Sequence, residues 1–320
     1  MKLEKIGFYT LSEERASQAN EGTPLYRCEL ILTNACNFKC PYCRGLKEGL
    51  RGTMPLEQAK STVQLWLDQG LRNVRFSGGE PLLYKGLSEL VSMCREGGVE
   101  RIAVSSNGSF PFERYTELVD LGVNDFSISL DGCCASVGDT MAGVDGAWEV
   151  VVDNIRRLSQ ITYVTVGMVF TEENVDDCVN AVLFADSLGV SDIRVIPSAQ
   201  YNQALKSLAT LPEDVLRKYP ILRYRIGNVL DGAHVRGMVE DDNPKCPLVL
   251  DDMAVAGNYH FPCIIYMREY GDPIGEVGPN MRQERAKWAE EHDCHKDPIC
   301  QQMCLDVCRH YNNNHHSNHE

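Results

Sequence analysis

The chain has 320 residues, 43% of them hydrophobic, and a net charge of −14 from 45 acidic and 31 basic side chains. That length allows two domains, or one large barrel with an appendage, while the charge argues against a protein that grips a nucleic-acid backbone, which is usually basic. No apolar run is long enough to span a bilayer, and the opening stretch MKLEKIGFYTLSEERASQ has no apolar signal-peptide core, so a cytoplasmic protein is expected.

Residues 1–25 are polar and aperiodic and read as an extension lying across a barrel edge. Residues 26–32 form a β-rich run that feeds directly into TNACNFKCPYCR, where Cys36, Cys40 and Cys43 stand at spacing CxxxCxxC. Residues 55–69 read as a helix, with Leu56, Ala59, Val63 and Trp66 at helical spacing and Gly70 as its stop. Residues 73–77 are a short strand ending at Gly78-Gly79, and 87–94 a helix stopped by Gly97-Gly98. Strands follow at 101–105, 125–130, 163–169 and 192–196, with helices at 112–121, 147–158 and 175–188 between and around them. Near-continuous apolar strands joined by helical crossovers indicate a parallel sheet covered on both faces. A full TIM barrel has eight units; six units followed by a change of pattern predict an α/β fold with a partial, open (β/α)6 TIM-like barrel over residues 26–204. The cysteine loop, SGGE, SSNG, SLDG and VIPSAQ all follow strands, so all are expected at the C-terminal mouth where such folds place function. Residues 205–245 form a connecting segment with a helix expected near 212–219. From 246 onward the chain is a loop-rich, cysteine-rich C-terminal domain, with a hairpin around 253–265, a helix at 280–291 and a frayed polar tail from Asn312.

Fourteen cysteines in clusters favour metal binding in a reducing cytosol over disulfides. Thiolates are soft ligands for iron–sulfur clusters or zinc. A cubane normally takes four cysteines, so three in one tight loop leave one iron without a protein ligand; zinc held by the three plus a fourth ligand from elsewhere is the alternative.

The loop resembles the cluster motif CxxxCxΦC of the radical S-adenosylmethionine (radical SAM) superfamily, with Tyr42 as the aromatic before the last cysteine. Ser77-Gly78-Gly79-Glu80-Pro81 is similar to that family's glycine-glycine-glutamate stretch, about 35 residues downstream. The resemblance implies a [4Fe-4S] cluster bound to S-adenosylmethionine, whose amine and carboxylate chelate the open iron, and reductive cleavage to a 5′-deoxyadenosyl radical. It also implies cofactor contacts at Tyr42, at Gly78 and Gly79, which allow close backbone approach, at Glu80, which accepts from the ammonium, at Ser106, Asn107, Ser129 and Asp131, and at Ile196 near the adenine. Where many relatives carry a His-Asp pair and an arginine, this chain has Cys133-Cys134-Ala135-Ser136-Val137-Gly138-Asp139-Thr140-Met141-Ala142-Gly143. Cys133 and Cys134 are therefore candidate catalytic hydrogen-atom donors, with small buried hydrophobes as the plain reading. Cys28, Cys94 and Cys178 read as core.

Cys246, Cys263, Cys294, Cys300, Cys304 and Cys308 form a second constellation. It resembles the SPASM and twitch extensions of radical SAM enzymes. The SPASM pattern CxxCx5CxxxC is matched from its second cysteine onward, because its first position falls on Glu291. At least one auxiliary [4Fe-4S] cluster is expected, held by Cys246 and Cys263 with two of the last four cysteines. A single helix over 300–308 would put its outer thiols about 12 Å apart, too far for one cluster without a helix break. Structural zinc, with His292 or His295 as ligand, is the alternative.

The function these features imply is hydrogen-atom abstraction from a small-molecule or short-peptide substrate, leading to dehydrogenation, epimerisation or crosslinking in natural-product or peptide modification. The electron donor would be a flavodoxin or ferredoxin. The rivals are a radical SAM enzyme that modifies tRNA or nucleosides, and a non-catalytic zinc or redox module.

Overall fold

The computed structural model describes residue 3 and residues 11–197 and 203–316. In chain order it contains α1 (Glu13–Ala16), β1 (Arg27–Ile31), α2 (Leu56–Asp68), β2 (Asn73–Ser77), α3 (Leu87–Glu96), β3 (Arg101–Ser106), α4 (Phe112–Leu121) and β4 (Asp125–Ser129). There follow α5 (Ala135–Ala142), α6 (Ala147–Leu158), β5 (Tyr163–Phe170), α7 (Cys178–Ser187), β6 (Asp192–Pro197), α8 (Gln203–Ser207), α9 (Glu213–Lys218) and α10 (Pro220–Leu230). The C-terminal part holds β7 (Asp252–Ala256), β8 (Tyr259–Phe261), α11 (Ile264–Arg268), β9 (Gly275–Glu276), α12 (Met281–Glu291), α13 (Pro298–Met303) and α14 (Asp306–His316). The six alternating strands and their crossover helices stand where the apolar runs predicted them. Helices α1, α5, α8, α10 and α11 were not anticipated.

Packing divides the chain into two compact units, residues 1–35, 45–102 and 236–320 in the first, 36–44 and 103–235 in the second. In the first unit β1 is flanked by two parallel neighbours: Arg27 pairs with Asn73 of β2 on one side and with Asp252 of β7 on the other. Strand β7, DMAVA, is buried at every position, as a strand inside a parallel sheet must be. It turns at Gly257 into antiparallel β8, which pairs with β9. Two buried arginines of α12 hold this region: Arg285 donates to the carbonyls of Val249, Asp252, Phe261 and Pro262, and Arg282 to those of Asn20, Glu21, Thr23 and Leu250. The frayed tail expected from Asn312 is not what the structure has: α14 runs to His316, and Asn312 is buried and accepts from the Leu248 N–H. Its amide side chain, invisible to a composition argument, makes it a core residue; residues 317–320 lie outside the described residues.

In the second unit β4 lies between β3 and β5, with β6 beyond, all parallel in register Ala103↔Asp125, Asp125↔Tyr163 and Thr165↔Asp192. Cys28, Cys94 and Cys178 are buried core residues, as expected. Among the described residues no helix is long and apolar enough to cross a membrane.

Candidate functional site

The cysteine loop, residues 36–44, is anchored within the second unit by its own polar residues. Lys39 donates its N–H to Ala142 O at 2.9 Å, and Asn37 its amide to Ser109 Oγ at 2.8 Å. The Asn107 amide donates to Asn37 Oδ1 at 2.8 Å and lies 3.9 Å from Cys36 Sγ. The Tyr42 hydroxyl donates to Asp131, whose other oxygen accepts the Val169 N–H at 2.7 Å. Gly143 sits at φ +64°, and a Cβ there would come 2.6 Å from Lys39 O, so only glycine lets the end of α5 meet the loop. The segment that lacks the expected His-Asp pair and arginine thus buttresses the cysteines instead. Cys36 and Cys43 are exposed and Cys40 is half-buried. Burial first, and the nearby Asp131 second, push the Cys40 thiol up to about 11, against the Tyr42 hydroxyl, which lowers it. Three thiols with nearby N–H and O–H donors fit a cubane that keeps one iron free.

In the first unit, the chain leaving β2 folds back on the backbone that follows β1. Gly79 donates its N–H to Thr33 O at 2.7 Å and Glu80 to Ala35 O at 2.8 Å. A Cβ at Gly78 would meet Thr33 O at 2.4 Å and one at Gly79 would meet Ala35 O at 2.3 Å. The close approach that the glycine pair permits is therefore made here to the chain's own residues 33–35. Glu80 is fully buried, and its Oε1 accepts the Leu82 N–H at 3.0 Å. Arg268, at the end of α11, donates to Gly45 O at 2.9 Å and Gly78 O at 3.0 Å. Sequence reasoning missed it, since a lone arginine in a loop-rich stretch carries no signal.

Ser106 is buried, 3.3 Å from the Tyr115 hydroxyl, and accepts the Gly108 N–H; it faces the core. Ser129, at the end of β4, is exposed, Asp131 is buried and Ile196 is half-buried in β6. Burial pushes the Asp131 carboxyl up to about 6, against the Tyr42 and Val169 bonds that lower it. Cys133 and Cys134 precede α5 and are half-buried. Burial and the neighbouring Cys134 raise Cys133, whereas hydrogen bonds from Ser136 and the Val137 N–H lower Cys134.

All six C-terminal cysteines line one apolar cavity of the first unit. The single helix considered for 300–308 does not form: α13 ends at Met303, Cys304 leaves helical geometry at φ −56°, ψ 132°, and α14 begins at Asp306. Cys304 is raised by burial first, then by the thiolates of Cys308, Cys246 and Cys263 beside it. Cys263 caps α11, its sulfur accepting the Tyr266 N–H at 3.4 Å, and Cys246 accepts from the Asn312 amide at 3.5 Å. Of the two histidines considered as ligands, His295 turns away, its Nε2 2.8 Å from Asp242 O; His292 lies 3.9 Å from Cys300 Sγ.

A family model described as Radical SAM superfamily matches residues 30–185. A probable GTP 3′,8-cyclase of Metallosphaera sedula is 27% identical over 180 residues, 55% of this chain and 56% of that protein. A PqqA peptide cyclase of Rhodopseudomonas palustris is 30% identical over 185 residues, 57% of this chain and 49% of that protein. The chain thus spans about half the length of these curated relatives. The solved structure of native anSMEcpe with bound AdoMet and Cp18Cys peptide superposes with a TM-score of 0.62 at 18% identity, covering 92% of this chain and 94% of that one. That likeness is one of fold, and the fold is the α/β, partial TIM-like barrel with a cysteine-rich C-terminal region.

Proposed function

We propose, from the membership of residues 30–185 in the radical SAM superfamily, that this chain reductively cleaves S-adenosylmethionine and abstracts a hydrogen atom from a substrate carbon. The observation that carries the reading is the anchored loop with three thiols and no fourth cysteine ligand of its own. Cys36, Cys40 and Cys43 would hold a [4Fe-4S] cluster, which when bound and reduced by an external donor would supply the one electron needed to cleave S-adenosylmethionine, methionine being the leaving group. Tyr42 and Asp131 fix the turn before the last ligand, and Asn107 orients the first. Asn107 carries the polar cofactor role after β3, because Ser106 faces the core. Gly78, Gly79 and Glu80 are the candidate cofactor residues of the first unit, with Arg268 holding the Gly78 carbonyl, and Ser129 and Ile196 are further candidates of the second.

In an epimerising outcome the candidate hydrogen-atom donors are Cys133 and Cys134, both half-buried ahead of α5. Residues 26–204 would then carry the cofactor chemistry, 205–245 connect, and 246–320 hold the auxiliary cluster. Cys246 and Cys263, with Cys304 and Cys308 from either side of the helix break, form its ligand set in the cavity that all four line.

The substrate class favoured is a short peptide, supported by the peptide cyclase relative and by the peptide bound in the anSMEcpe structure. The GTP 3′,8-cyclase relatives favour a purine nucleotide as the second reading. Both need an external reductant of the flavodoxin or ferredoxin kind. Anaerobic reconstitution with iron and sulfide, followed by dithionite and S-adenosylmethionine, should yield 5′-deoxyadenosine. Cys36→Ala should abolish that product while keeping the far-ultraviolet circular dichroism of the parent; undiminished product from this variant sinks the reading. Deuterium carried from labelled GTP into 5′-deoxyadenosine would replace the peptide by the nucleotide.

A further inference from the structure

Two of the six C-terminal cysteines, Cys294 and Cys300, are left over by that ligand set, and the position where the SPASM-like pattern lacks its first cysteine is Glu291. The residue next to it is His292. We propose that His292, Cys294 and Cys300 together bind a single divalent ion of the zinc class, at a second metal site beside the auxiliary cluster. Their ligand atoms all lie within 4.8 Å of one another, with His292 Nε2 3.9 Å from Cys300 Sγ. A tetrahedral ion with bonds of about 2.3 Å to sulfur and about 2.0 Å to nitrogen holds its ligands roughly 3.5–4 Å apart. A cubane, whose ligand sulfurs belong to different irons, spreads them farther.

The site is built rather than incidental. Helix α12 ends at Glu291, and His292 caps it, its N–H donating to Trp288 O at 2.9 Å. The imidazole stacks on Trp288 at 4.0 Å between centroids and meets Tyr266 edge-on. Cys294 is fixed by its N–H to Pro244 O at 2.7 Å. Cys300 lies in the first turn of α13, its N–H accepted by Asp297 at 2.9 Å. Asp297 Oδ2, 3.4 Å from His292 Nε2, is the group placed to complete the shell. Mixed imidazole and thiolate donors suit zinc, and each thiol would release its proton as the ion binds.

The full chain, purified anaerobically without added iron, should carry one tightly bound zinc whose X-ray absorption edge reports nitrogen and sulfur together in the inner shell. That zinc should persist in Cys36→Ala and in the Cys304→Ser, Cys308→Ser double variant. His292→Ala should weaken retention against a chelator by more than the roughly 10- to 100-fold that losing an outer-shell partner costs. His292→Cys should keep the zinc with an all-sulfur shell, which separates ligand loss from misfolding. An all-sulfur shell in the parent, zinc retention unchanged in His292→Ala, or occupancy by iron alone would overturn the proposal. Formation of 5′-deoxyadenosine is not the readout, so failure here leaves the cofactor reading standing.

Discussion

Asp131 shows what a single side chain does in this site. It is buried, it fixes the cysteine loop through Tyr42, and it ties that loop to β5 through the Val169 N–H. Both partners were candidates from the sequence, but their pairing across 89 residues left no local signal. Its carboxyl is pushed from 3.8 to about 6, by burial before anything else. A raised carboxyl pKa means that the fold prefers the protonated form, so this contribution to stability is complete below about pH 4 and is lost as pH rises through about 6. The full effect is on the order of 2–3 kcal/mol. Asp131→Asn cannot ionise and keeps an acceptor for Val169. Its melting temperature relative to the parent should therefore climb between pH 4 and 7 and level off above. A relative fall over that range would mean that the Tyr42 bond outweighs burial and that the carboxylate is the native form.

Among the elements, the strands were the most legible, because a buried parallel strand announces itself as an apolar run. Helix α5 was hidden by Gly138, a poor helix former that is there because a Cβ would stand 2.2 Å from Trp148 Cδ1. The break at Cys304 was legible only as a requirement of cluster geometry. Helix α12 was foreseen, but not that its Arg285 would be fully buried, its guanidinium serving four carbonyls around β7, β8 and the Cys263 turn. A buried carbonyl that loses its donor costs about 1–3 kcal/mol, so Arg285→Leu should destabilise the first unit by about 3 kcal/mol or more. Arg285→Lys should recover only part of this, since a compact ammonium cannot span the same fork. Urea midpoints of the two variants test the claim; a shift under about 1 kcal/mol in Arg285→Leu would show that the carbonyls find water instead.

At the scale of the whole molecule, the match to the superfamily ends at residue 185, yet strand β1, which leads into the cysteine loop, is not complete without residues beyond it. Its five residues pair with β7 from Arg27↔Asp252 to Ile31↔Ala256, and Arg27 and Arg15 form ion pairs with Asp252 and Asp251. None of this was visible in the sequence, where residues 253–265 read only as a hairpin of a separate cysteine domain: a buried strand gives its apolar character but not its neighbour. A fragment stopping at residue 235 would keep Cys36, Cys40 and Cys43 and every S-adenosylmethionine contact expected from the sequence. It would also bare an apolar strand edge, a template for association, and leave both arginines without their carboxylates. That fragment should aggregate, or lose amide-exchange protection across residues 27–31, while the full chain keeps it. A monomeric fragment with cooperative unfolding and unchanged protection there would mean that β2 alone holds β1, and that the C-terminal segment is an accessory to the first unit's sheet rather than part of it.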